Sequence, residues 1–261
     1  MKSLIGSVAV AAAAGLSYGS VINIDFSSND DGDALLNGQQ IIASDFDAFF
    51  TLSVSGSNNG AAVFDSSPGG PNAGSGDPDL LVDLGNVLIM QEISGNNGNT
   101  TVLSNGRTGF VTPNDRANPS SDPGVINFAF NEAVELLSID LVDVNSGNSV
   151  TVTLTDSEGD ERIYSVPQQW TDDISNPTPA GSSPQGFGTL DLTTLLDQDS
   201  PDGNGTTATA AEDAGFDAAS VVNLEIRIVG SGAIDNLVFV PTPGAAGLLA
   251  VAGAMAMRRR R

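Results

Sequence analysis

Apolar and polar residues alternate along much of this chain with the two-residue period of strands that bury one face. The clearest run is 221–229, where Leu224, Ile226 and Ile228 share one face and Glu225 and Arg227 the other. Val150, Val152 and Leu154 alternate with Thr151, Thr153 and Thr155 in the same way. The pattern predicts strands over 21–26, 49–54, 61–64, 87–92, 125–130, 134–144, 150–155, 162–166, 189–192, 221–229 and 233–240. Short helical turns are expected only over 192–196 and 208–214.

Between these runs the punctuation is that of turns. Asp156-Ser157-Glu158-Gly159-Asp160 separates two alternating segments and reads as a hairpin loop whose glycine supplies a positive φ. Gly230-Ser231-Gly232 joins the last two strands similarly. Long polar loops cover 55–60, 66–77, 96–105, 112–124, 171–188 and 197–215, and loops of this length are commonly functional. Strands of this number and spacing predict an all-β fold, an antiparallel β-sandwich or jelly roll with long polar loops. Such a fold can set the first and last strands side by side, pairing Asn23-Ile24-Asp25-Phe26 with Ala233-Ile234-Asp235-Asn236.

The 261 residues divide into three parts: 1–20, 21–240 and 241–261. The first has a lysine, an apolar run from Leu4 to Leu16 and the small residues Ser17-Tyr18-Gly19-Ser20, the layout of a secretory signal peptide cleaved after Gly19 or Ser20. The last reads Pro241-Thr242-Pro243, then about 14 apolar residues from Gly244, then Arg258, Arg259, Arg260 and Arg261. The two prolines stop any preceding helix. The apolar part then starts a helix that enters the inner membrane, and the arginines hold its far end in the cytoplasm. This predicts an exported protein, periplasmic, on the outer surface or extracellular, held transiently or permanently by its tail.

The tail resembles the PEP-CTERM sorting signal, in which a Pro-Glu-Pro-like motif precedes an apolar helix and a terminal arginine cluster. Here Thr242 stands where that motif usually carries Glu. The resemblance covers Val240 to Arg261 and implies an exosortase-type sorting enzyme as partner. The body is similar to uncharacterised exported proteins that carry such tails. The residues that carry this likeness are Ala62-Val63-Phe64-Asp65-Ser66, Gly76-Asp77-Pro78-Asp79-Leu80, Gly85-Asn86-Val87-Leu88-Ile89-Met90-Gln91-Glu92 and Gly230-Ser231-Gly232-Ala233-Ile234-Asp235-Asn236-Leu237. More loosely, the body resembles galactose-binding-like and carbohydrate-binding jelly rolls, a likeness that implies a fold and no agreed activity.

Charge sharpens the division. All 32 acidic residues lie between Val21 and Thr242, against Arg107, Arg116, Arg162 and Arg227, so the body carries a formal −28. Such a surface repels nucleic acid and anionic membranes. It suits a salty medium, and it attracts divalent cations. The chain has no cysteine and no histidine, which removes disulfides, thiol nucleophiles, serine–histidine triads and the commonest metal ligand.

What remains is carboxylate chemistry. Calcium takes six to eight oxygens from carboxylates, amides and backbone carbonyls. Asp77-Pro78-Asp79 sets two carboxylates on one side of a stiffened segment, and with Asp65 and Glu92 forms the favoured calcium candidate. Asp25 and Asp235, on the presumed terminal strands, form a second. Asn29-Asp30-Asp31-Gly32-Asp33 and the run from Asp197 to Gly203 lack EF-hand spacing and read as solvated turns. Trp170, the single tryptophan, is either a sugar-stacking platform or a core residue. These features point to a non-catalytic module that interacts with polysaccharide or neighbouring surfaces and is stabilised by calcium. The alternative is a secreted polysaccharide-active enzyme using paired carboxylates. If the tail is the tether, a chain truncated after Pro243 is found in the culture medium on fractionation; an unchanged distribution overturns the assignment.

Overall fold

The runs predicted over 125–130 and 134–144 form one continuous strand, and that strand organises the domain. In the computed structural model, which describes residues 19–56, 58–74, 77–93, 97–115, 118–144, 147–171, 186–201, 203 and 205–242, it spans Gly124–Val142. The predicted signal peptide up to Tyr18 lies outside the described residues. So do Arg116, Pro243 and the arginine-ended tail. Among the described residues no helix is long and apolar enough to cross a membrane.

The described residues form fourteen strands: β1 Ile22–Ile24, β2 Phe50–Ser55, β3 Ala61–Asp65, β4 Asn86–Met90, β5 Thr100–Val102, β6 Thr108–Phe110, β7 Gly124–Val142, β8 Ser149–Asp156, β9 Glu161–Val166, β10 Phe187–Asp191, β11 Gln198–Asp199, β12 Thr207–Glu212, β13 Val221–Val229 and β14 Ala233–Pro241. Twelve belong to one curled antiparallel sheet, and β5 and β6 make a separate hairpin. The first half of β7 lies between β13 and β2, its second half between β14 and β10. Val134 is the crossing point, paired with Val221 on one edge and Pro241 on the other. The first half therefore continues into β13-β8-β9-β12, and the second into β14-β4-β3. Folding these two wings over each other gives the all-β sandwich.

The alternating side chains fill the space between the wings. Ile126 and Phe128 of β7 and Leu224, Ile226 and Ile228 of β13 are buried, as are Val150, Val152 and Leu154 of β8. Phe50 stacks on Phe46 at 5.4 Å and meets Phe128 edge-on at 5.0 Å. A second, smaller core lies on the other face of β3, β4 and β14, where Phe64, Val87 and Ile89 pack with Leu80, Phe110 and Val142. This two-sided burial explains why Ala61–Asp65 and Asn86–Met90 read as unbroken apolar runs rather than alternating ones.

Most predicted strands are present, with informative differences. The first and last strands do pair, in a register slid toward the C-terminus, with Ile22 opposite Phe239 and Ile24 opposite Leu237. The helical turn expected over 208–214 is instead strand β12, because its Thr-Ala alternation completes the edge of β9. The stretch 192–196 also has no helix, only bends. β5 and β11 fall inside predicted loops, and β6 in a stretch for which the pattern predicts no element. The two glycine-marked turns are as expected: Gly159 has φ of 93°, and Gly230 has φ of 89°.

Trp170 belongs to the core. It is 1 % exposed, its Nε1–H donates to the Gln198 carbonyl at 3.2 Å, and Gly188 leaves just enough room for its ring. It therefore offers no open face to a sugar, which corrects the platform reading. Replacing it leaves a large cavity, so Trp170→Ala lowers stability by about 3–5 kcal/mol in denaturant titration. An unchanged unfolding midpoint overturns this placement.

Candidate functional site

At one end of the sandwich, β4, β7 and β14 stop together, and five acidic residues collect in the loops beyond them. Gln91, just past β4, bridges Asp115, and the Asp115 carboxylate accepts the Gly232 N–H at 2.6 Å in the turn between β13 and β14. Asp143 follows directly on β7. Its backbone is held at φ of 60° and its carboxylate accepts from the Ser231 hydroxyl at 2.7 Å. Asn148 braces the same turn, donating to the Asp143 carbonyl at 2.9 Å and to Ser231 Oγ at 3.0 Å. The Pro78–Leu80 turn begins at Asp77, whose Oδ2 accepts the Asp115 N–H at 3.0 Å. Glu92 completes the group and accepts from the side-chain amides of Asn97 and Asn114.

The carboxyls touch in pairs. Asp115 shares a side-chain hydrogen bond with Asp77, and Asp143 shares one with Asp79. Two touching carboxylates repel when both are ionised, so the contact favours a shared proton within each pair. Burial is the largest cause of the resulting shifts. It pushes Asp77 up to about 6 and Asp143 up to about 8, and holds Asp115 well above the carboxylate range. The neighbouring acids add to this: Asp79 raises Asp143, and Asp77 and Asp143 raise Asp115. Among the described residues no three acidic side chains close into a ready-made metal cage.

Of the favoured sequence candidates, Asp77, Asp79 and Glu92 thus meet, and Asp65 stands apart. It ends β3 opposite Asn86, four residues down the strand from Ala61, or about 13 Å. There its carboxylate accepts the Ser67 N–H at 3.0 Å and caps a turn. Asp115 and Asp143 are the members that sequence reasoning missed. Asp143 carried a readable signal, an acid set between Val142 and Val144 at the end of an apolar run; Asp115 lay in a polar loop without one.

The second candidate pair also gains a member. Asp235 lies opposite Asp140 in the β14–β7 ladder. Its Oδ2 accepts from the Asn236 amide at 3.2 Å, and its Oδ1 is buried with no hydrogen-bond partner among the described residues. Asp140 accepts from Thr189 Oγ1 at 2.5 Å and from the Asn236 amide at 2.8 Å. Burial, with Asp140 and Asp25 nearby, pushes Asp235 up to about 8. Asp25 itself is exposed and caps Ser27.

Of the sorting residues, Pro241 ends β14. Thr242 donates both its N–H, at 2.9 Å, and its hydroxyl, at 2.8 Å, to the Ala133 carbonyl. Gly19 packs directly against Pro241, so the two ends of the described body leave from one corner.

No family model, no curated protein and no solved structure matches this chain.

Carboxyls whose folded-state values are raised bind protons that the unfolded chain has already released, so metal-free stability falls as pH rises from about 4 to about 8. In EDTA the Tm is expected to decline between pH 5 and pH 8, and Asp143→Asn with Asp235→Asn to flatten that decline. A wild-type Tm independent of pH in this window overturns the assignment of buried protonated acids.

Proposed function

We propose that this chain is an exported, non-catalytic surface module whose loop end is rigidified by a divalent cation, calcium in an external medium. Its loops would meet extracellular polysaccharide or a neighbouring surface. The observation that carries the cation reading is the pairing of Asp77 with Asp115 and of Asp79 with Asp143 at the ends of β4, β7 and β14. A hard cation between such pairs replaces the shared protons, removes the mutual repulsion and draws on further oxygens from Glu92 and the loop backbone. The small movement this needs lies in loops, where closure of the donor set costs little. Export rests on the two ends, an N-terminal signal-peptide pattern and the PEP-CTERM-like tail with its implied exosortase-type partner, and is supported by their common point of exit beside Gly19 and Pro241.

A secreted polysaccharide-active enzyme is the second reading, favoured by the raised carboxyl of Asp77 beside a second acid. The burial of Asp115 and Asp143 to 4 % and 2 % exposure weighs against it, since a catalytic pair must reach its substrate.

Thermal melting in EDTA and in millimolar calcium tests the first reading. A site filled at a hundredfold excess over its Kd stabilises by about 2.7 kcal/mol, and Asp115→Asn with Asp143→Asn removes most of that gain. A Tm indifferent to calcium overturns the cation reading, and release of reducing sugar from polysaccharide by the purified chain supports the enzyme instead.

A further inference from the structure

Away from the acidic loop end, a polar cleft of about 430 Å³ opens between the turn at Asn29–Asp33 and the hairpin turn joining β5 and β6. We propose that this cleft is a subsite for a neutral sugar, one or two residues of a polysaccharide. The inference rests on the polysaccharide reading above and gives it a location that the buried Trp170 cannot supply.

Both walls are fixed before any ligand arrives. The Asn29 turn is closed by Asn29 N–H to the Asp33 carbonyl at 2.9 Å, and the hairpin turn by Leu103 N–H to the Arg107 carbonyl at 2.9 Å. One buried residue ties them together. Asp45, 1 % exposed, accepts Asp30 N–H on its backbone carbonyl at 3.0 Å. Its side chain takes Arg107 Nη2 on both oxygens, at 2.7 and 2.9 Å. The guanidinium is thereby held in one orientation with its charge cancelled, and Nε and Nη1 are not used by that pair.

Gln39 supplies the second observation. It lines the cleft although it is only 1 % exposed. Its Oε1 accepts from Leu36 N–H at 3.2 Å and from the Asn105 amide at 2.8 Å. Two donors on one atom fix which end of the amide is oxygen. The Nε2 donor points away from them and has no protein partner among the described residues. A nearly buried, pre-oriented donor of this kind is what a site built to receive a hydroxyl provides.

The remaining lining selects the class of ligand. Asp33 adds a carboxylate acceptor to the lining, Asn29 Oδ1 accepts the Asp33 N–H at 2.7 Å and leaves its amide donor to the cleft, and Leu36 offers an apolar patch for C–H groups. Hydroxyls both donate and accept, so a polyol matches a mixed wall that a purely anionic or purely cationic ligand does not. The Arg107 charge is spent on Asp45, and Asp33 leaves the cleft mildly negative in a body of −28. Uronates and phosphorylated ligands are therefore repelled. The volume falls within the ~300–1,000 Å³ range of small-ligand pockets.

The test is affinity electrophoresis of the purified full chain, in millimolar calcium, through gels containing dextran, galactan, starch or polygalacturonate. Wild type is expected to be retarded by at least one neutral polysaccharide and not by polygalacturonate. Gln39→Glu keeps the oxygen that Leu36 and Asn105 need and removes the amide donor, weakening retention about tenfold, with thermal melting reading separately what the buried carboxyl costs in stability. Asn29→Ala with Asp33→Ala, on the outer turn, gives a second variant should Gln39→Glu fold poorly. Retention on a neutral glycan unaffected by either variant overturns the cleft and leaves the polysaccharide reading standing. Preference for polygalacturonate overturns the neutral class, and no retention on any gel overturns both readings.

Discussion

The peptide groups of Gly124–Val142 must be satisfied on two edges over 19 residues, and four different strands are needed to do it. Those strands come from 50–55, 187–191, 221–229 and 233–241, so the spine is complete only when distant parts of the chain have arrived. No consecutive segment can bury its share of the core alone, which makes the two wings one cooperative body and sets a folding rate governed by long loop closures. The same constraint makes the acidic site possible. Because β7 leaves β13 on one edge and takes up β14 on the other around Val134, β14 runs back along the second half of the spine, and its leading turn arrives beside Asp143. The ladder then holds Gly232 against Asp115 without help from the carboxyls themselves.

Much of the architecture was legible because strand burial leaves a period-two trace, and β8, β9 and β13 carry it plainly. Where both faces are covered, as in β3 and β4, the trace becomes an apolar run, still readable as strand but silent about which side faces which core. The failures share a physical origin. β12 and the β5–β6 hairpin are short, polar edge pieces whose conformation is decided by the neighbour they add to, not by their own residues. The join of two predicted strands into β7 was equally hidden, since Asn131-Glu132 looks like a break and the continuity is imposed by β13 and β14 from outside. At the site, Asp77 and Asp79 announced themselves by proximity in sequence. Asp115 reached them through the Gln91 bridge, a contact that only tertiary structure creates, and Asp65 was drawn in by sequence nearness yet held away at the other end of its strand.

Acidic residues play two unlike parts in this molecule. Most of those described are at least partly exposed and keep a strongly negative surface wetted and apart from other anions. A few are buried where strands end, and there their charge is a problem that hydrogen bonds solve only in part. Asp156 shows the solved case: N–H groups of Asp217, Glu158, Asp160 and Gly159 converge on its carboxylate and hold it below its ordinary value. Asp45 shows another, neutralised by Arg107. Asp115, Asp143 and Asp235 press on other acids in a buried setting, which is why they hold their protons more tightly than an ordinary carboxyl.

The exit of both chain ends beside Pro241 also sets how the body bears mechanical load. A pull on Thr242 runs lengthwise along β14, which is flanked by β7 on one side and by β1 and β4 on the other. Antiparallel ladders loaded along their axis resist in shear, with many hydrogen bonds sharing the force rather than opening one at a time. The nine residues of β14 span about 30 Å, so the Gly230-Ser231-Gly232 turn with the acids beside it sits at the opposite end of that line. A body held by its tail would therefore present that turn outward, and tension between the two would pass through the strongest direction of the sheet.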